Sequence, residues 1–279
     1  MAGTLYLVAT PIGNLGDLSL RAIETLRAVD FLAVEDTRVT VKLLNHLDIK
    51  KPMVSYHRHN DEGRGPELVQ RLLAGEDGAL VTDAGMPAIS DPGEDLVRLC
   101  AEAGVTVTAV PGPCAFVTAL ALSGLDTGRV TFEGFLPMNK KNRRAHLAEL
   151  AGERRTMVLH EAPHKLVPTL ADLAEVLGAA RPVAVCRELT KLHEEVWRTT
   201  LGAALERYRA EAPRGEFVLV VAGAEPVRAE EATLEDGVAL VARLRGEGVS
   251  TRDAVRQAAE DLRLPRKALY DTVVRGERG

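Results

Sequence analysis

Short apolar runs alternate with amphipathic segments over the first 112 residues, and this alternation restricts the fold more than any other feature of the sequence. The apolar runs predict five strands, at residues 5–10, 31–35, 53–56, 79–82 and 105–110. The segments between them predict helices at 20–28, 39–47, 66–73 and 95–103. Ser19 and Thr37 are candidate N-caps, and Gly75 and Gly104 are candidate C-terminal stops. Strands separated by helices in this way predict βαβ units and a parallel sheet.

A second segment begins after the rigid sequence Pro111-Gly-Pro113. It opens with an apolar helix predicted at 115–123. Further strands are predicted at 130–135, 156–160, 183–187, 196–200 and 217–222, with helices at 166–177 and 203–210. Because strands follow one another here without a helix between every pair, we expect a mixed sheet.

The last 45 or so residues predict a small helical unit. Residues 226–236 break the periodic pattern and indicate a linker. Helices are then predicted at 238–244, 253–262 and 266–274. Ser250 and Asp253 have the spacing of a capping box, and Pro265 precedes the last helix. Two short helices with a tight turn, the second of them basic, are typical of a helix-turn-helix. The predicted domains are therefore 1–112, 113–225 and 235–279.

Composition excludes several classes of protein. The net charge of −5 leaves only a local basic patch for any nucleic acid. The three cysteines lack CxxC spacing, so we expect no disulfide framework, no metal site and a reducing cytoplasm. No apolar run approaches the ~20 residues of a membrane span, and the N-terminus lacks the basic region of a signal peptide. We therefore expect a cytoplasmic protein that does not associate with membranes.

Polar, glycine and proline residues follow all five strands of the first sheet. The loops read TPIGNLGD (10–17), EDTR (35–38), SYHRHND (55–61), TDAGMPAISDPG (82–93) and PGPCA (111–115). In an open parallel sheet the ligand crevice lies beyond the carboxyl ends of the strands. These loops therefore predict one binding rim. No G-x-G-x-x-G or Walker A sequence is present, so an ordinary dinucleotide or P-loop site is not indicated.

Each of these loops also has a purely structural interpretation. TPIGN is as consistent with a simple turn as with a backbone cradle for a small ligand. Asp83 could be a turn residue, and 35–38 could be a capped helix start with a local ion pair. The charged cluster at 187–191 could be a solvated loop or a substrate contact. The basic run at 140–144 could be a solvated helix start or part of a phosphate-binding patch.

The loops taken together, in order, are more specific than any one of them. ATPIGNLGDLSLRA, VEDTR, YHRHN, VTDAGMPAISDPG, VPGPCAFVTALALSGL, FEGFLP, RELTKLHEE and GEFVLVVAG resemble the tetrapyrrole methylase superfamily over about residues 4–223. The branch that they resemble methylates a ribose 2′-hydroxyl of a cytidine in small-subunit ribosomal RNA. The resemblance implies two α/β domains, S-adenosylmethionine in the cleft between them, a helix-turn-helix appendage and a homodimer.

The resemblance also implies site residues. The cofactor site would comprise Pro11, Asp83, Ala84, Gly85, Met86, Ile89, Cys114, Ala115, Leu159, His160 and Phe217. His160 departs from the pattern, which has an aromatic residue before the glutamate. Since a ribose hydroxyl is a weak nucleophile, a base or a cation should assist the transfer. Candidate catalytic residues are Glu161, Arg187, Glu188 and Lys191. Candidate substrate-binding residues are Asn14, Glu35, Asp36, Arg38, Arg58, Arg143 and Arg144.

The sequence thus predicts an S-adenosylmethionine-dependent methyltransferase of 16S ribosomal RNA in the small ribosomal subunit. Two alternatives remain open. The same fold could methylate a tetrapyrrole or another small molecule, although the C-terminal helices and the basic run argue against it. The chain could instead be a nucleic-acid-binding regulator whose α/β part senses a metabolite.

Overall fold

The computed structural model describes residues 1–57, 61–225 and 232–276. Arg58, a predicted substrate contact, lies outside these ranges. The chain divides into two compact units, Met1–Ala224 and Glu225–Gly279. No helix within the described ranges is long and apolar enough to cross a membrane.

The first sheet is parallel throughout, with strand order β3-β2-β4-β1-β5. Its strands are β1 (Thr4–Val8), β2 (Phe31–Val34), β3 (Met53–Ser55), β4 (Gly78–Val81) and β5 (Thr106–Val110). The helices between them are α1 (Leu20–Ala28), α2 (Thr37–His46), α3 (Asp61–Leu73) and α4 (Glu94–Glu102). Apolar clusters cover both faces of the sheet. One includes α1 and α2, and the other includes α3 and α4. This explains why β2 and β4 are buried at every position.

The second sheet is mixed, with strand order β6-β7-β10-β8-β9. Its strands are β6 (Val130–Gly134), β7 (Thr156–Glu161), β8 (Pro182–Arg187), β9 (Glu195–Thr200) and β10 (Phe217–Val221). Only β6 and β7 pair in parallel, and the other neighbours are antiparallel. Helix α5 (Ala115–Ser123) packs on one face, while α6 (Lys140–Leu150), α7 (Pro163–Leu177) and α8 (Leu201–Ala210) pack on the other.

The C-terminal unit contains α9 (Leu234–Gly246), α10 (Thr251–Asp261) and α11 (Arg266–Gly276). These helices bury a small core of their own, which includes Val241, Val255 and Leu269. Ser250 caps α10 by accepting a hydrogen bond from the backbone N–H of Asp253.

The predicted fold class is confirmed, and the differences from prediction are local. Asp36, not Thr37, is the N-cap of α2, because its carboxylate accepts the Arg38 N–H at 2.8 Å. The predicted linker extended too far, since α9 already begins at Leu234. Helix α6 was predicted only as one interpretation of the basic run at 140–144, a solvated helix start, because its apolar positions are few.

Candidate functional site

The loop after β4 is joined to the end of β1. Thr10 and Gly85 exchange backbone hydrogen bonds, with N–O distances of 2.9 Å and 3.1 Å, and the Thr10 hydroxyl donates to the Thr82 carbonyl. Gly85 has a φ of +89°, which a residue with a Cβ rarely adopts. The long loop that follows β4 is therefore a fixed wall built from backbone.

Strained backbone is concentrated in two loops. Ala88 and Ser90 in the loop after β4, and Glu188 and Thr190 in the loop after β8, all have a φ between +51° and +66°. Such conformations cost about 1–3 kcal/mol for residues other than glycine and occur preferentially at binding and active sites. The two loops come from different sheets and contribute to the same cavity.

This cavity has a volume of about 520 Å³, within the usual range for a site that binds a small organic ligand. The first sheet's loops contribute Ile12, Ala84, Ile89, Ser90 and Asp91 to its lining. The rest comes from α5 and the second sheet: Ala115, Phe135, His160, Glu161, Ala162, Pro163, His164, Cys186, Leu189, Glu216, Phe217 and Val218. We call it the cleft cavity. It joins five of the predicted cofactor residues, namely Ala84, Ile89, Ala115, His160 and Phe217.

His160 is a neutral imidazole in the cavity wall. Burial lowers the pKa of His160, and a weaker electrostatic attraction to Glu216 opposes the shift. The ring packs edge-on against Phe132 and Phe135, with centroid distances of 5.2 Å and 5.5 Å. Its Nε2 is buried and has no hydrogen-bond partner among the residues that the structure describes. A buried polar atom without a partner at an apolar wall suits a flat ligand that carries its own polar edge, such as adenine.

Glu161 ends β7 and is almost fully buried at the cavity wall. Its carboxylate accepts hydrogen bonds from the Ala162 N–H, at 2.9 Å, and from the Thr169 hydroxyl on α7. Thr169 in turn accepts a hydrogen bond from Arg143 Nη2 at 2.9 Å, and Arg143 Nε pairs with Asp172 at 2.6 Å. This chain of bonds fixes the orientation of the carboxylate. Two of its roughly four lone-pair positions remain for a ligand.

Lys191 connects the loop after β8 to the loop after β1. Its ammonium binds Glu188 Oε1 at 2.8 Å and Glu216 Oε2 at 2.9 Å. Burial alone would lower the pKa of Lys191, but these hydrogen bonds raise it overall. The hydrogen bond from Lys191 also lowers the pKa of Glu188. The aliphatic stem of Lys191 lies over Gly13, where any added methyl group would overlap it.

Glu216 is the main site residue that the sequence did not predict. Sequence reasoning considered the residues that follow strands, and Glu216 precedes β10. However, β10 runs antiparallel to β7 and β8, and Phe217 pairs with both Glu161 and Arg187. The amino end of β10 therefore lies at the same sheet edge as the carboxyl ends of its neighbours. A charged residue directly before a strand of a predicted mixed sheet was the sequence signal that could have identified Glu216.

Arg187 and Leu159 are not among the residues that line the cleft cavity. Arg187 ends β8, and its Nε is 3.3 Å from Oε2 of Glu195 on the neighbouring strand β9. The guanidinium is thus held in a local ion pair, and the catalytic role of Arg187 stays a prediction. Leu159 packs in the core beside α7.

The loop after β2 is held by local bonds. Arg38 forms a two-pronged ion pair with Asp36, and the shortest N–O distance is 2.6 Å. The Asp36 N–H donates to Asp83 Oδ1 at 3.2 Å, and the Asp83 N–H lies 3.5 Å from Glu35 Oε2. Burial raises the pKa of Asp83, partly offset by the hydrogen bond from Asp36. The structural interpretation of 35–38 as a capped helix start is thus confirmed, while Arg38 remains exposed at the rim.

The other predicted site residues take varied positions. Asn14 caps a short 3-10 helix, Leu15–Asp17, by accepting the Gly16 N–H. Cys114 is the N-cap residue of α5, directly before Ala115. Arg144 lines a second cavity together with Arg143, between α6 and α7. Neither Pro11 nor Met86 is among the residues that line the cleft cavity, although the neighbours of both belong to the loops that do.

Comparison with known proteins identifies the family. The sequence model described as "Tetrapyrrole (Corrin/Porphyrin) Methylases" matches residues 4–205. The chain belongs to the tetrapyrrole methylase family. The predicted family, and with it the prediction of an S-adenosylmethionine-dependent methyltransferase, is confirmed.

Relatives match almost the whole chain. A protein of Synechocystis sp. named "Ribosomal RNA small subunit methyltransferase I" is 50% identical, and the match covers 96% of each chain. A protein of Bacillus subtilis with the same name is 43% identical over 96% of this chain and 93% of its own. Among solved structures, uroporphyrin-III C-methyltransferase from Thermus thermophilus, complexed with S-adenosylhomocysteine, has a TM-score of 0.56 at 20% identity. That match covers 78% of this chain and 97% of the other, and it supports the fold.

Proposed function

We propose that this chain transfers the methyl group of S-adenosylmethionine to the 2′-hydroxyl of a cytidine ribose in 16S ribosomal RNA of the small ribosomal subunit. The observation that carries the proposal is how much of this chain its relatives match. The family model ends at residue 205, whereas relatives named for small-subunit ribosomal RNA match 96% of the chain. The match therefore extends beyond the 78% of this chain that aligns with the uroporphyrin-III C-methyltransferase structure.

The cleft cavity is the proposed cofactor site. Apolar side chains of Ile89, Ala115 and Phe217 offer contact surface, and His160 Nε2 offers a polar partner. The fixed backbone of Ala84 and Gly85 offers donors and acceptors that need little ordering on binding. Bound there, S-adenosylmethionine supplies a methyl group that a sulfonium has already activated.

The remaining catalytic work is alignment and charge stabilisation. We assign Lys191 to stabilise the oxygen of the ribose as its proton leaves. Of the three N–H groups on its ammonium, two donate to Glu188 and Glu216, and the third has no partner among the described residues. Glu161, held by Thr169, is the proposed acceptor for the hydroxyl proton. Its position at the cavity wall and its fixed orientation suit that role.

Basic side chains supply the proposed RNA contacts. Within the first unit this is Arg38, whose side chain is 88% exposed. In the C-terminal unit, a groove of about 750 Å³ is lined by Thr251, Arg252, Arg266, Lys267 and Tyr270. Cations beside an aromatic ring are suited to a phosphate backbone and an unstacked base. The groove therefore supports the predicted RNA-binding role of this unit.

We also propose a homodimer through β5 and α5. Strand β5 is at the edge of its sheet, and Thr106, Thr108 and Ala109 are exposed on it. On the apolar helix α5, Val117 and Leu122 are also exposed. An edge strand that is left uncovered beside exposed apolar side chains favours association with a second copy. Light scattering should give twice the chain mass for the wild type and a smaller mass for Val117→Glu/Leu122→Glu.

The proposed acceptor is tested with labelled S-adenosylmethionine and a panel of substrates. Small ribosomal subunits from a strain that lacks the modification should accept label, and uroporphyrinogen should not. Label in the tetrapyrrole alone would contradict the proposal. Since the proposed substrate is ribosomal, we place the protein in the cytoplasm.

A further inference from the structure

A second cavity, of about 420 Å³, lies between the start of α6 and the first turns of α7. Its lining combines cations with apolar surface: Leu136, Pro137, Met138, Lys140, Arg143, Arg144, Leu147, Lys165, Pro168, Thr169 and Asp172. We call it the α6–α7 cavity. Nothing in the mechanism proposed above uses it as a binding site.

The charge of this cavity is unbalanced. Arg143 is paired with Asp172, at 2.6 Å. Lys140, Arg144 and Lys165 also line the cavity, and none of them forms an ion pair within the described part of the chain. Three cations around an apolar floor have the chemistry of a nucleotide site, where the cations bind phosphate and the floor contacts base or ribose.

The α6–α7 cavity adjoins the cleft cavity. Phe135 lines the cleft cavity and the next residue, Leu136, lines the α6–α7 cavity. Likewise His164 lines the first and Lys165 the second. The two sites therefore share the loop after β6 and the beginning of α7.

A hydrogen-bonded chain also connects the two cavities. Arg143, in the α6–α7 cavity, donates to Thr169, and Thr169 donates to Glu161 in the cleft cavity. An RNA strand that enters the cleft with one nucleotide would meet the cations of the second cavity with a neighbouring one. Binding there would orient the strand beside the carboxylate that Thr169 holds.

We propose that the α6–α7 cavity is a subsite for a nucleotide that flanks the methylated one, with its phosphate bound by Arg144, Lys165 and Lys140. This rests on the proposed function, since it takes the acceptor to be an RNA strand. The subsite adds affinity and register without touching the reacting atoms.

The test compares Arg144→Ala and Lys165→Ala with Lys141→Ala in the full chain. Lys141 is also exposed on α6 but does not line the cavity, so its replacement removes the same charge from a nearby position. Binding of unmodified small ribosomal subunits is measured between about 50 and 200 mM salt, at constant Mg²⁺. Each lost phosphate contact should reduce the slope of log K against log salt by about 0.7–0.9.

We expect that reduction for Arg144→Ala and Lys165→Ala and not for Lys141→Ala, with unchanged affinity for S-adenosylhomocysteine in all three. Slopes equal to that of Lys141→Ala would overturn the subsite, as would a wild-type chain that binds no subunits. If the slopes change as expected but the wild type transfers no methyl group to the subunits, the proposed function fails while the subsite stands as an RNA contact.

Discussion

Replacing Lys191 with methionine separates catalysis from folding. The substitution keeps an unbranched stem over Gly13 and removes the ammonium that binds Glu188 and Glu216. It also removes the third N–H group, which we assign to the developing negative charge on the ribose oxygen. The fold and the cofactor site retain their other contacts.

The substitution should affect kcat more than it affects the stability of the fold. Removal of one donor that acts on the transition state typically lowers kcat by about 10²–10³, which corresponds to about 2.7–4 kcal/mol. The pair with Glu216 adds little to stability, about 0–1 kcal/mol, because the Glu216 side chain is 79% exposed. Glu188 is only 20% exposed, but it keeps its hydrogen bond from the Glu216 N–H. The fold should therefore lose about 1–3 kcal/mol.

The assay measures kcat for methyl transfer to unmodified small subunits, with the affinity for S-adenosylhomocysteine and the unfolding midpoint in urea measured in parallel. Lys191→Arg, which retains the charge, serves as the matched control and should keep more activity than the methionine variant. Because hydrogen bonds raise the pKa of Lys191, it stays protonated from pH 6 to 9 and should contribute no rise in rate there. A kcat for Lys191→Met within a few-fold of wild type would refute its assigned role.

Three further predictions concern the cavity walls. Thr169→Val removes one hydrogen-bond partner from the Glu161 carboxylate and one from the Arg143 guanidinium. The free energy of unfolding should therefore fall by about 1–3 kcal/mol, and kcat should fall as well. Thr169→Ser should restore both. Gly85→Ala meets no atom closer than 3.5 Å, so its cost is the positive φ alone, about 1–2 kcal/mol in urea unfolding. A larger loss would indicate a clash. A thiol reagent at pH 8 should label Cys114 before the other two cysteines, because burial raises the pKa of the Cys100 and Cys186 thiols to about 11. Labelling of Cys114 should be slower when S-adenosylhomocysteine is bound. Equal labelling of all three would contradict the burial that the structure gives.

The fold could be predicted because the hydrophobic pattern of the sequence agrees with the burial of the residues in the structure. The strands of the first sheet are buried on both faces and appear as continuous apolar runs, and glycines such as Gly104 mark helix ends with a positive φ. The extent of helix α6 was not predicted because the helix buries only Leu147 and Leu150 along its length. A helix with so narrow an apolar stripe carries little periodic signal.

The site was only partly predictable. Position along the chain indicated which loops meet, and five of the residues predicted to bind the cofactor line one cavity. It could not indicate that the guanidinium of Arg187 would pair with Glu195 on the neighbouring strand. Nor could it reveal that Glu216, before an antiparallel strand, lies at the same edge. Both facts depend on which strands pair with one another, which is a tertiary property.

The central claim is that the acceptor atom is the 2′-oxygen of a cytidine ribose. The most direct measurement is mass spectrometry of nucleosides from 16S ribosomal RNA, after unmodified small subunits have been incubated with the wild-type chain and deuterium-labelled S-adenosylmethionine. The account predicts labelled 2′-O-methylcytidine at a single position, and almost none with Lys191→Met. Label on a base, or on the ribose of another nucleoside, would contradict it.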